Sequence, residues 1–152
     1  MKHVNLEYAG FWLRTGAALV DTIIILIIAM PLSLLVYGWG YFDSDKFIRG
    51  SADLAINYLL PLIATIILWR RFQATPGKMA LKLRIVDAVS GETASVRQCC
   101  IRYFGYLISA LPLGLGLIWV AFDQRKQGWH DKMAGTVVVR DLKPLQVNFR
   151  GV

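Results

Sequence analysis

FWLRTGAALVDTIIILIIAM, residues 11–30, decides how the chain is read. It places one aspartate, Asp21, inside a run otherwise suited to lipid. The apolar run from Ala17 to Tyr37 exceeds the roughly 20 residues that a helix rising 1.5 Å per residue needs to cross about 30 Å of hydrocarbon. An ionised carboxylate at that depth costs at least about 2.5–3.5 kcal/mol, so Asp21 must face protein or water, be paired, or be protonated. Arg14 lies seven residues earlier, within about 20° of the same helix face. Between the two stand Thr15, Gly16, Ala17 and Ala18, small residues that admit a second helix at close range. The face carrying Arg14 and Asp21 is therefore an interior one.

Two further apolar segments follow. Leu54 to Trp69 is barely long enough to span, and Tyr103 to Phe122 is long enough only if it stays continuous through Pro112, Gly114 and Gly116. In a chain of 152 residues, 56% hydrophobic content is too high for an ordinary soluble domain and fits one integral membrane domain, residues 1–152. The net charge of +7 does not indicate nucleic acid, because the Lys and Arg flank apolar segments, where they set orientation and meet lipid head groups. The segment from Arg70 to Arg102 carries seven Lys and Arg against Asp87 and Glu92 and is expected on the cytoplasmic side, together with the N-terminus. The loop with Asp43, Asp45 and Asp53 is then outside.

The tail poses a conflict. Arg125, Lys126, Lys132, Arg140, Lys143 and Arg150 would all be external if Tyr103 to Phe122 crossed once, whereas two half-helices hinged at LPLGLG would return them to the cytoplasm. A single Pro-kinked span is the alternative. Leu83 to Val86 and Thr136 to Val139 are β-branched or alternating runs, and pairing them into a small hairpin-like element requires both on one side. The expected fold is thus an all-α membrane protein of two spans and a third kinked or re-entrant segment, with a small cytoplasmic β element.

Other features carry little chemistry. ATPGKMALK, residues 74–82, is no phosphate loop, since Phe72 stands where its first glycine belongs and Met79 where Ser or Thr would hold magnesium. Pro76 and Gly77 more simply start a turn, leaving Lys78 as an interfacial cation or one with an acidic partner. His130 beside Asp131 has no nucleophile in a recognisable setting and reads as a turn or interface residue. Cys99 and Cys100 lack partners at ligand spacing and read as structural, so neither a metal nor a cofactor is indicated and an enzyme is not expected. Trp12, Trp39, Trp69, Trp119 and Trp129 fall near segment ends, as in an aromatic belt.

LRTGAALVD, ATPGKMALKLRIVDAVSGETAS and RKQGWHDKMAGTVVV together resemble the RDD family of small prokaryotic membrane proteins over nearly the whole chain. The resemblance implies that Arg14 and Asp21 are the family's arginine and first aspartate. Asp131 is the preferred second aspartate and Asp123 the alternative. It also implies the inner membrane of a prokaryote and, as proposed for some members, transport such as sodium/proton exchange. Two functions follow. In one, Asp21 is protonatable and exchanges protons for small cations, which needs a homo-oligomer or partner protein because two spans and a half-span cannot enclose a pathway. In the other, Arg14, Asp21 and Asp131 form a polar lock in a non-catalytic module that binds or regulates other membrane proteins.

Overall fold

The computed structural model describes residues 5–43, 46 and 48–142. Lys2, Asp45, Lys143 and Arg150, four of the charges that bear on orientation, lie outside the described residues. A short strand, β1 (Asn5–Tyr8), leads into helix α1 (Phe11–Tyr37), which starts six residues before the apolar run expected to span. Its 27 residues extend about 40 Å, enough for hydrocarbon and one interface. Bulky side chains such as Leu19, Ile23, Ile27 and Leu35 are more than half exposed, and Ala17, Ala29 and Ser33 are the helix's buried residues. That inversion of an ordinary amphipathic pattern suits lipid, where each backbone group must bond within its own helix and apolar side chains need no protein cover. Pro31 lies inside α1 and removes one helical N–H donor.

The second long helix forms from α2 (Ser51–Leu54), a π-helical turn (Ala55–Leu59) and α3 (Leu60–Phe72), so it exceeds the Leu54 to Trp69 run at both ends. It stops where Gln73 adopts φ 58° and donates its N–H to the Trp69 carbonyl. At this helix's start Asp53 is buried, accepting from the Arg49 N–H at 3.0 Å and the Asn57 amide at 2.7 Å, and Asn57 also reaches Ser33 at 3.2 Å. This polar knot ties the far ends of the two long helices together.

Next comes α4 (Pro76–Ala80), so Pro76 and Gly77 open a short helix rather than a simple turn. Strand β2 (Leu83–Asp87) and α5 (Val96–Ala110) follow. A capping box opens α5: Ser95 Oγ accepts from the Gln98 N–H at 3.3 Å, and the Gln98 side chain accepts from the Ser95 N–H at 2.8 Å. Helix α6 (Leu115–Ile118) continues as a 3-10 turn (Trp119–Ala121) and is bent 115° from α5. Leu113 and Gly114 make that bend with φ of 53° and 76°. Helix α7 (Trp129–Ala134) and strand β3 (Thr136–Leu142) complete the described chain.

The β element is larger than a hairpin. Strand β3 is central in an antiparallel sheet ordered β1-β3-β2, with Ile85 opposite Val138, Asp87 opposite Thr136, and Tyr8 opposite Val139. The expected β2 to β3 pairing is present, and the N-terminal strand adds a third member that residues 5–8 do not announce. Because β1 precedes the long helices, β2 follows them and β3 follows the bent pair, all three segments lie on one side of the spans. The bent pair thus joins β2 and β3 of one sheet, the arrangement the re-entrant alternative requires. Ala9, Ala17, Trp69, Leu83, Ile85, Cys99 and Val138 form the core where the sheet meets the helix ends.

Candidate functional site

Above that core lies a buried charge cluster. Arg14, on the first turn of α1, donates to Asp131 and to the Lys126 carbonyl through its two terminal nitrogens, while its Nε bonds the Ala9 carbonyl at 2.9 Å. Asp131, on α7, is fully buried and also accepts from Arg102 and from the Gly128 N–H at 3.1 Å. Arg102 is itself fully buried, lies 5.3 Å from the Trp69 ring centroid, and bonds Thr136 Oγ1 at 2.7 Å. Two guanidinium groups thus share one carboxylate. Burial alone pushes the Asp131 carboxyl up, but Arg102 and then Arg14 overcome it and hold it well below the usual carboxylate range.

Arg102 is the member that sequence reasoning counted only as an orientation charge. The available signal is its place on the α5 stripe of Cys99, Arg102, Gly105 and Ser109, all buried. A guanidinium on a stripe of small residues needs an internal partner. Gly105 lets α7 close on that stripe, since a Cβ there would lie 2.9 Å from His130 Cα. The contact makes His130 a core residue: its ring stacks on Tyr106 at 3.9 Å, and its N–H bonds Ser109 Oγ at 3.1 Å. Burial, reinforced by Arg102, Arg14 and Lys78 against the opposing pull of Asp131, lowers its pKa to about 3, so the imidazole is neutral.

Asp21 is not part of this cluster. Its carboxylate accepts from Thr75 Oγ1 at 2.5 Å and from the Gly77 N–H at 2.7 Å, holding α4 against α1. The small-residue face between Arg14 and Asp21 receives α4: Ala17 is fully buried, and a Cβ on Gly77 would fall 2.1 Å from its carbonyl oxygen. Asp21 also borders a cavity of about 220 Å³ between α1 and α3, lined mainly by apolar side chains such as Ile28, Leu60 and Leu68. The lock expected from Arg14, Asp21 and Asp131 is therefore two devices, one closed by Arg102 and the other by the Thr75 to Gly77 turn.

The remaining candidates separate cleanly. Asp123 accepts from Lys132 at 2.5 Å and from the Arg125 and Gln127 N–H groups at 3.1 Å each; the Lys132 contact chiefly lowers its pKa. It orders the loop before α7. Lys78 is buried, and no carboxylate pairs with it among the described residues. Trp69 is 2% exposed and packs on Arg102, whereas Trp12 and Trp39 are over 80% exposed in the manner expected of a belt. Cys99 and Cys100 are free thiols, the first buried and the second half-buried. Among the described residues no three His, Cys, Asp or Glu side chains come together as a metal site.

The RDD family model matches residues 8–135, a range that holds Arg14, Asp21, Asp123 and Asp131. The chain belongs to the RDD family. Similar proteins include YxaI of Bacillus subtilis, 31% identical over 86% of this chain and 96% of its own, and YckC of the same organism, 33% identical over 86% and 83%. Both are described as uncharacterised proteins. YteJ of Bacillus subtilis, described as an uncharacterised membrane protein, is 27% identical over 88% and 82%. No solved structure matches. Two helices long and apolar enough to cross a bilayer agree with the membrane character of the family.

Proposed function

We propose that this RDD protein is a non-catalytic membrane module that binds other membrane proteins or further copies of itself. It would sit in the inner membrane of a prokaryote with both termini in the cytoplasm, as the basic residues around α4, α5 and α7 favour. One observation carries the reading: Arg14, Asp21 and Asp131 are each committed to an internal contact, Arg14 and Asp131 to each other and Asp21 to Thr75 and Gly77. Groups so committed fix the arrangement of helices. A second reading, exchange of protons for small cations at Asp21, is favoured by the cavity that this carboxylate borders. A flux assay on purified protein in liposomes over a pH series separates them, with wild type compared to Asp21→Asn. The module reading expects no pH-dependent cation flux from wild type and a lower unfolding temperature for Asp21→Asn. Flux from wild type that Asp21→Asn abolishes, with the variant folded, would replace the module by the exchanger.

A further inference from the structure

A second cavity, of about 130 Å³, is lined from α1, α4, α5 and α7 and does not include Asp21. Arg14, Lys78, Tyr106 and His130 give it polar walls, while Ala18 and Leu117 border it with apolar side chains. Its electrostatics are one-sided. Lys78 is 7% exposed, has no carboxylate partner among the described residues, and lies 5.8 Å from the centroid of the Trp69 ring. A buried ammonium without a counter-ion is costly, which is why such groups are ordinarily paired. Arg14 and Arg102 already share Asp131, and no ion pair joins that carboxylate to Lys78 among the described residues. Asp21 does not redress the balance, because its oxygens are taken by Thr75 and Gly77 and it lines the other cavity. His130, 3% exposed, adds a buried Nε2 that makes no hydrogen bond among the described residues and lies 3.5 Å from Asp131 Oδ1.

The geometry points to a binding site for a phosphate oxyanion between α1, α4 and α5, with Lys78 as its counter-ion and Arg14 and His130 in its wall. The volume is roughly ten times the 10–15 Å³ that admits one water, which is room for a tetrahedral phosphate. A phosphate ester also suits the position. Arg14 opens a helix long enough to span, and Ala18 and Leu117 at the margin are exposed or half-exposed apolar residues that tolerate an acyl or glyceryl neighbour. The same chemistry arrives as a phospholipid headgroup or as soluble phosphate.

The test is thermal unfolding of delipidated, detergent-purified full chain, titrated separately with phosphatidylglycerol, a phosphate-free galactolipid and inorganic phosphate. Phosphatidylglycerol is expected to raise the unfolding temperature saturably and galactolipid to leave it unchanged. Lys78→Met should weaken the half-saturating phosphatidylglycerol concentration about ten- to hundredfold, the loss of one charge-assisted bond, while Lys78→Arg retains most of the response. Without added lipid, Lys78→Met should unfold at the wild-type temperature or above it, since an unpaired buried charge has gone. If inorganic phosphate protects as well as phosphatidylglycerol at equal concentration, the source is soluble and the site stands. Equal responses of wild type and Lys78→Met, or equal protection by galactolipid, would overturn it. So would a large fall in the lipid-free unfolding temperature of Lys78→Met, which would make Lys78 a structural cation with its partner inside the protein.

Discussion

Asp131 shows how far one carboxylate can organise a fold. It accepts from Arg14, 117 residues away, from Arg102, and from the Gly128 N–H that precedes its own helix. Removing one partner of such a buried set leaves the rest uncompensated, so Arg102→Met is expected to lower stability by about 3–5 kcal/mol in detergent unfolding. Arg102→Lys should rescue little, because an ammonium cannot reproduce the guanidinium's simultaneous bonds to Asp131, Thr136 and Tyr106. In a double-mutant cycle, Arg14→Ala and Asp131→Ala should cost less together than the sum of the two, and strictly additive losses would contradict the pair. His130 adds a pH term of definite sign. Its folded pKa lies near 3 and its unfolded value near about 6.5, so between these limits the unfolded chain binds the extra proton and stability falls as pH falls. The slope contributed is at most about 1.4 kcal/mol per pH unit, and His130→Phe, which keeps the stacking on Tyr106, should remove it from a pH series of unfolding temperatures. The family resemblance pointed to Asp131, and charge spacing made Arg14 and Asp21 legible in the sequence. Arg102 was not, because its meaning depends on which α5 stripe turns inward, and that is set by the distant α7.

At the scale of elements, α4 is the piece that small residues make possible. Five residues long, it could not persist alone, and it is held by Asp21 bonding Thr75 and Gly77 while Gly77 touches the Ala17 carbonyl. Gly77→Ala drives a methyl into that backbone oxygen and should destabilise by about 1–3 kcal/mol, with larger losses if α4 is displaced altogether. Cleavage by a soluble protease at Lys82 or Arg84, just after α4, gives a second readout, expected to quicken in Gly77→Ala. The helices of the two spans were readable from hydrophobic length, but their ends were not. Leu54 was expected near the start of its span, yet Ser51 to Leu59 continues the helix through a π turn that brings Asn57 to Asp53 and Ser33. Hydropathy has no term for such a side-chain knot. Residues 5–8 were equally silent, since a four-residue edge strand is specified by the partner it finds in β3 and not by its own pattern.

The whole molecule is two long helices and a bent arm returned to a single sheet. Single cysteines at Glu7, Val89 and Arg140, in a background lacking Cys99 and Cys100, should react with an impermeant thiol reagent from the same face of the membrane. Labelling of Val89→Cys and Arg140→Cys from opposite faces would contradict the shared sheet. The basic residues of the sequence lead to the expectation of a common side, and the shared sheet is the contact that would enforce it. One feature of that sheet also orders the protein's birth. Strand β3 is the middle strand, so β1 and β2 never touch and each finds its neighbour only in residues 136–142. Both long helices can enter the bilayer from a nascent chain while the two outer strands wait unpaired and Arg14 and Arg102 lack their carboxylate. Completion of the C-terminal third settles all of these at one stroke. A chain truncated after Ala121 would therefore keep both long helices but carry two bare strand edges and two arginines without their carboxylate.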